Sequence, residues 1–159
     1  MTNATQNRFS VHRASSEEFE KAWDIIQEYY KAAAVIARDE KNELFRTYFQ
    51  QGAGVWLAAF ESQVVGCVAL RPLSQIEESA EIKRLYVRPP FRGQGIADAL
   101  YRELETFATD SGYKWLYLDT ASGMIAAQKF YQSLGFESCN RYNSNPQAAI
   151  FMRKELRSN

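Results

Sequence analysis

The sequence predicts an α+β fold built on a mixed central sheet, and three observations predict it. Short alternating runs rich in β-branched and aromatic residues recur along the chain, separated by stretches with helical spacing. Three of these runs, Val55–Phe60, Val64–Leu70 and Ala80–Val87, follow one another through short connections, as in an antiparallel meander. Later the pattern changes to strand, helix, strand, which requires a parallel crossover. The predicted order is β-α-α-β-β-β-α-β-α-β-β.

Taken in order, Met1–Asn7 is polar and reads as a disordered tail, leaving residues 8–159 as one domain. Arg8–Arg13 alternates as a first strand. Ser15 and Glu18 have capping-box spacing, and behind them Phe19, Trp23, Ile26 and Tyr30 share one helix face. The alanine-rich 32–37 stretch either continues that helix or turns out of it. Asp39–Gln50 is a second helical pattern, with Leu44, Phe45, Tyr48 and Phe49 on its apolar side. Glu61–Ser62–Gln63 is a hairpin loop, and Pro72–Glu78 is a polar connection to the third strand of the meander. A helix with Ile96, Leu100, Leu104, Phe107 and Ala108 on one face runs to about Ser111, with Gly112 placed to end it. Lys114–Thr120 is a strand. Met124–Leu134 is a helix whose Gly135–Phe136 ending suits a Schellman motif. Phe136–Tyr142 and Ala148–Leu156 are the last strands.

The 159 residues are enough for one sizeable core, and 46% hydrophobic with 14% aromatic content points to a folded globule. Lys+Arg 19 balances Asp+Glu 19, so no long-range field draws the chain to nucleic acid or an anionic membrane. No apolar run reaches membrane-spanning length, and the polar start does not resemble a signal peptide, so a cytoplasmic protein is expected. Cys67 and Cys139 have neither metal-ligand nor redox spacing. His12 is the single histidine, which leaves no basis for a His-built zinc site or a Ser–His–Asp triad, and no metal is expected.

The most informative stretch joins the strand ending at Val87 to the helix beginning near Ile96. It reads Arg88–Pro89–Pro90–Phe91–Arg92–Gly93–Gln94–Gly95–Ile96–Ala97. A helix start has unpaired N–H groups and the positive end of the macrodipole. Gly93 and Gly95 place no side chain in a ligand's way, and Arg92 adds a cation. Together these parts form a phosphate or pyrophosphate cradle.

Arg92–x–x–Gly95–x–Ala97 matches the acetyl-CoA signature of the GCN5-related N-acetyltransferases, [Arg/Gln]-x-x-Gly-x-[Gly/Ala], and Glu81–Pro89 resembles that family's preceding strand. Phe130–Tyr131–x–x–Leu134–Gly135–Phe136 resembles the family's terminal-helix motif. The likeness is strongest from Glu81 to Phe136. It implies an acetyl-CoA-dependent acyltransferase with a small-molecule or peptide amine as acceptor, and a sheet whose parallel strands splay apart. Many members dimerise, so a homodimer is among the expectations. The pyrophosphate would rest on the N–H groups of Gly93, Gly95, Ile96 and Ala97, helped by Arg92 and Gln94. The pantetheine arm would run along Leu85, Tyr86 and Val87. One departure stands out: many relatives carry Asn seven residues before the tyrosine, and here that position is Met124.

Two steps need help from the protein. An alkyl amine of pKa ~10.4 is about one part in a thousand neutral near pH 7, so its proton must be removed. Some relatives use a Glu on this strand, which makes Glu81 the candidate base, directly or through water. Its other reading is a charge paired with Lys83 or Arg84. Family tyrosines at the position of Tyr131 donate to the leaving thiolate, although its spacing also fits a core aromatic. Two rival functions stay open. A dinucleotide-binding module would use Gly93–x–Gly95 and Asp119, but Asp98 stands where its third glycine belongs. A non-catalytic CoA-binding regulatory domain would carry the same cradle.

Overall fold

The computed structural model describes residues 8–157; the expected tail lies outside them. The strands are β1 (Phe9–Arg13), β2 (Gly54–Phe60), β3 (Gln63–Pro72), β4 (Ser79–Val87), β5 (Trp115–Thr120), β6 (Glu137–Ser138) and β7 (Ile150–Glu155). The helices are α1 (Phe19–Ala32), α2 (Lys41–Tyr48), α3 (Ile96–Asp110) and α4 (Ile125–Ser133). The strands form one sheet in the order β1-β2-β3-β4-β5-β7-β6. All neighbours are antiparallel except β4 and β5, the parallel pair spanned by α3.

The helical periods identified in the sequence face the sheet from two sides. On one side α1 buries Ala22, Ile25, Ile26 and Tyr30, and α2 buries Leu44 and Tyr48. On the other, α3 buries Ile96, Leu100, Leu104 and Ala108, while α4 contributes Tyr131. Phe45 differs from the expectation. It stands 42% exposed, stacked on Phe49 at 5.4 Å between ring centres and edge-on to Phe19 at 5.2 Å.

Two helix ends have the same geometry with different residues. After α4, Phe136 N–H donates to Tyr131 C=O at 3.1 Å and Gly135 N–H to Gln132 C=O at 3.0 Å, the Schellman pattern, with Gly135 at φ 96°. After α1, Val35 N–H donates to Tyr30 C=O at 2.9 Å and Ala34 N–H to Lys31 C=O at 3.4 Å. Here an alanine, Ala34 at φ 51°, takes the left-handed position that normally falls to glycine. The alanine-rich stretch therefore turns out of the helix rather than extending it.

The expected strand Phe136–Tyr142 is mostly absent. Only Glu137 and Ser138 pair, with Arg153 and Met152, and Cys139 N–H adds one bond to Phe151 C=O at 2.8 Å. Beyond Cys139 the chain leaves the sheet edge and crosses towards β4, where Tyr142 and Asn143 find partners on Glu81. Alternating side chains alone do not make a strand when tertiary hydrogen bonds draw the backbone away.

Candidate active site

β4 and β5 pair over only three positions, Ser79 with Trp115, Ala80 with Leu116 and Glu81 with Tyr117. Past Glu81 the two strands separate. The wedge between them is a cleft walled by β4 from Ile82 to Leu85, the end of β5 at Leu118–Thr120, α4 at Ala127 and Tyr131, and the α1 end at Tyr29 and Val35. A bulge interrupts the pairing of β4 with β3 on the other side of the strand: Cys67 pairs with Tyr86 but Ala69 pairs with Lys83, and Arg84 takes φ 61°. From Ile82 to Val87 the β5-facing edge of β4 has no strand partner, so its amide groups face the cleft.

That open edge leads into the glycine loop. Gly95 caps α3 in a left-handed conformation at φ 85°, and Gly93 has φ 78°. A side chain at either would meet open space, so the glycines serve backbone conformation and close approach rather than packing. The first N–H of this stretch with an internal acceptor is that of Ala99, to Gly95 C=O at 3.0 Å. Those of Gly93 to Asp98 have no backbone acceptor among the described residues. Six successive unsatisfied donors at a helix start suit a pyrophosphate, and an unpaired strand edge suits an amide-bearing arm; both fit coenzyme A. Of the chain residues expected along the arm, Leu85 is half-buried, whereas Tyr86 and Val87 are buried in the cores of opposite sheet faces. Arg92 departs in detail: its Nε donates to Val87 C=O at 2.9 Å, so it braces the loop as well as charging it. Met124 lies at the cleft, 44% exposed, at the start of α4.

Tyr131 is 6% exposed and lines the cleft. Burial, with a smaller contribution from Tyr29, raises its phenol well above the ordinary tyrosine value. The hydroxyl thus remains protonated throughout the neutral range. Its ring is held edge-on by Phe130 and Phe136, at 5.3 Å from each.

Glu81 is fully buried and does not line this cleft; it borders a separate cavity with Arg71, Pro72 and Asn143. Its Oε1 accepts from Arg71 Nε at 2.9 Å and lies 2.8 Å from Arg71 Nη2. Its Oε2 accepts from the Tyr142 hydroxyl at 2.6 Å and sits 3.6 Å from Lys83 Nζ. The pairing with Lys83 is thus present, though secondary to Arg71. Arg84 turns instead to Asp39 at 3.2 Å and over the Tyr30 ring, at 4.8 Å. The carboxylate that lines the cleft is Asp119, at the end of β5. It lies 3.4 Å from Lys83 Nζ and accepts from Asn143 Nδ2 at 2.6 Å.

The sequence places the loop Asn143–Gln147 at the acceptor site without a role for any one residue, and it gives no sign of Arg71, Tyr142 or the position of Asp119 at the cleft. Tyr142 and Asn143 follow Cys139, where the last hydrogen bond to β7 is made, and no local pattern marks that departure. Among the described residues no group of three or more His, Cys, Asp or Glu side chains converges as a metal site, and no helix is long and apolar enough to cross a membrane.

Known proteins share this architecture. The chain is 36% identical over 107 residues to human N-acetyltransferase 8B, covering 65% of this chain and 47% of that protein. It is 38% identical over 101 residues to N-acetylaspartate synthetase of Xenopus tropicalis, covering 63% of this chain and 37% of that one. The chain thus spans less than half the length of these two relatives. A Salmonella typhimurium protein solved with its cofactor acetyl-CoA superposes with a TM-score of 0.77 at 17% identity, over 96% of each chain. The sequence profile of the acetyltransferase (GNAT) family matches residues 11–136, and with the open β4 edge, the glycine cradle and the mixed seven-stranded sheet in place, the chain belongs to that family.

Proposed function

We propose that this protein transfers an acetyl group from acetyl-CoA to a primary amine by direct attack, with both substrates bound at the β4–β5 cleft. The observation that carries the proposal is the β5-facing edge of β4, without a strand partner from Ile82 to Val87, leading to the six N–H groups of Gly93–Asp98 that have no backbone acceptor among the described residues. When bound, acetyl-CoA supplies the thioester. Gly93, Gln94, Gly95, Ile96 and Ala97 hold its pyrophosphate, with Arg92 adding charge, and the backbone of Leu85, Tyr86 and Val87 aligns the arm. Holding both reactants in one cleft removes most of the orientational cost of the reaction. Tyr131, kept protonated by burial, would stabilise the departing thiolate by donating a hydrogen bond from its hydroxyl, with the thiolate free to take its proton from the ammonium product or solvent.

The amine proton needs an acceptor in contact with the cleft. Glu81 meets that need only through an intermediary, because it is fully buried and its oxygens are occupied by Arg71 and Tyr142. We therefore assign the proton to Asp119, which lines the cleft, and give Glu81 the role of anchoring Arg71, Tyr142 and Lys83 behind it. The acceptor is a small amine or a peptide amine; one relative's name, N-acetylaspartate synthetase, favours the small one. Two unbridged cysteines and a requirement for acetyl-CoA support a cytoplasmic setting. A homodimer is carried as the family expectation, and sedimentation reads it directly.

A thiol-release assay with acetyl-CoA tests the function against L-aspartate, L-alanine, spermidine and a peptide with a free N-terminus. Turnover with at least one amine is expected. Tight CoA binding with no turnover on any of them would leave a CoA-binding regulatory domain. Binding of NADH in place of CoA would restore the dinucleotide reading.

A further inference from the structure

Two loops from distant parts of the chain wall the end of the cleft away from the cradle. One is the turn after α1, residues 33–36; the other is the crossover before β7, residues 143–148. We infer that Gln147 is a latch joining these two lips, a positioning residue that controls how readily water and the acceptor amine reach the thioester. The inference rests on the acetyl-transfer reading of the cleft.

The side-chain amide of Gln147 uses both its ends on one short stretch of backbone. Its Nε2 donates to Ala34 C=O at 3.2 Å, and its Oε1 accepts from Ile36 N–H at 3.0 Å. Between those two residues lies Val35, which lines the cleft together with Gln147 and Ala148. A planar amide satisfied at both ends is oriented as well as tethered. The latch therefore fixes where Val35 stands across from the crossover.

Each lip is stiff without the latch. On the α1 side, the Schellman bonds hold Ala34 and Val35, and Arg38 Nε donates to Val35 C=O at 2.7 Å. On the other side, the Arg141 guanidinium donates to the carbonyls of Asn143, Asn145 and Ala148 at 3.3, 3.2 and 3.0 Å. Asn145 Oδ1 accepts from Gln147 N–H at 3.1 Å. Two preformed lips joined by a single exposed amide behave as a gate, since solvent-exposed hydrogen bonds open more easily than buried ones.

The test is hydrogen exchange on the whole chain, wild type against Gln147→Ala, with amine-free acetyl-CoA hydrolysis measured in parallel. The Ile36 amide should exchange at least roughly tenfold faster in the variant while amides of α3 keep their rates. Thioester hydrolysis without amine should rise several-fold, and CoA affinity by calorimetry should stay within about twofold. Gln147→Glu, which keeps an oxygen for Ile36 N–H but loses the donor to Ala34, should fall between the two. Unchanged exchange at Ile36 overturns the latch. Faster exchange without faster hydrolysis overturns its control of access. A matching loss of CoA affinity reassigns the effect to general damage and also overturns it. Failure of the acetyl-transfer reading would appear separately, as wild-type protein that binds no CoA.

Discussion

On the acetyl-transfer proposal, the two ends of the cleft would recognise their ligands by different means. At the cofactor end, consecutive residues from Gly93 to Asp98 present backbone N–H groups, and side chains matter little beyond the two glycines that take positive φ. At the acceptor end, the wall is assembled from Tyr29 and Val35, Lys83 and Arg84, Asp119, and the 143–148 crossover, joined by side-chain bonds across more than a hundred residues of sequence. Backbone recognition tolerates almost any sequence that adopts the loop, so it suits a ligand that does not change. Side-chain recognition can be altered one residue at a time, as an end that chooses among amines requires.

The sharpest break in this comparison falls where the two ends meet. Tyr131→Phe keeps the ring between Phe130 and Phe136 and removes only the hydroxyl. Its kcat should fall by roughly 10²–10⁴, with the smaller end favoured because a thiolate of pKa near ~8.5 is a tolerable leaving group. Wild-type kcat in the folded variant, with chemistry limiting, would return Tyr131 to a packing role.

At the cofactor end, Gly95→Asp places a carboxylate beside the cradle and strains a φ of 85°. Like-charge contact of several kcal/mol implies CoA affinity weaker by about 100-fold or more. Calorimetry showing unchanged affinity in a folded variant would reject the cradle.

At the acceptor end, two carboxylates should separate by kind of effect. Asp119→Asn should lower kcat/KM by roughly 10²-fold at pH 7 and by less at pH 9, where more of the amine is already neutral. Glu81→Gln should act mainly on stability, by about 2–3 kcal/mol, because it leaves Arg71 without its charge partner. That figure lies below the value for a fully buried pair because Arg71 is 35% exposed. A Glu81 variant with native stability and the larger, pH-dependent rate loss would exchange the two roles.

The smallest effect concerns the acceptor lip alone. Ala34→Gly relieves the left-handed alanine and should stabilise the fold by about 1 kcal/mol, measured by denaturant unfolding. Destabilisation would mean that the alanine side chain contributes packing that outweighs its strain.

The same division governs what could be read in advance. The cradle, α3 and the Schellman end of α4 are local events: Gly93, Gly95, the 96–108 stripe and Gly135–Phe136 each act within one turn or one helix. The meander and the parallel crossover followed from alternation and connection length. What could not be read was non-local. No neighbour of Arg71 in sequence announces that it neutralises Glu81, and nothing around Tyr142 says that it abandons the edge of β7. Around Ala34 both outcomes stayed open, because alanine favours helix while the Tyr30 carbonyl and the opposite lip, invisible locally, favour the turn.

The separation of β4 from β5 also bears on how the protein avoids sticking to itself. An unpaired strand edge running from Ile82 to Val87 would ordinarily template the addition of another chain. Here its Ile82–Leu85 part lies in a wedge whose sides are the end of α1, α4 and the end of β5, so those elements stand where a neighbouring strand would have to pair. The walls that admit a slender ligand are thus also a guard against aggregation, and damage to them should cost solubility before it costs the core.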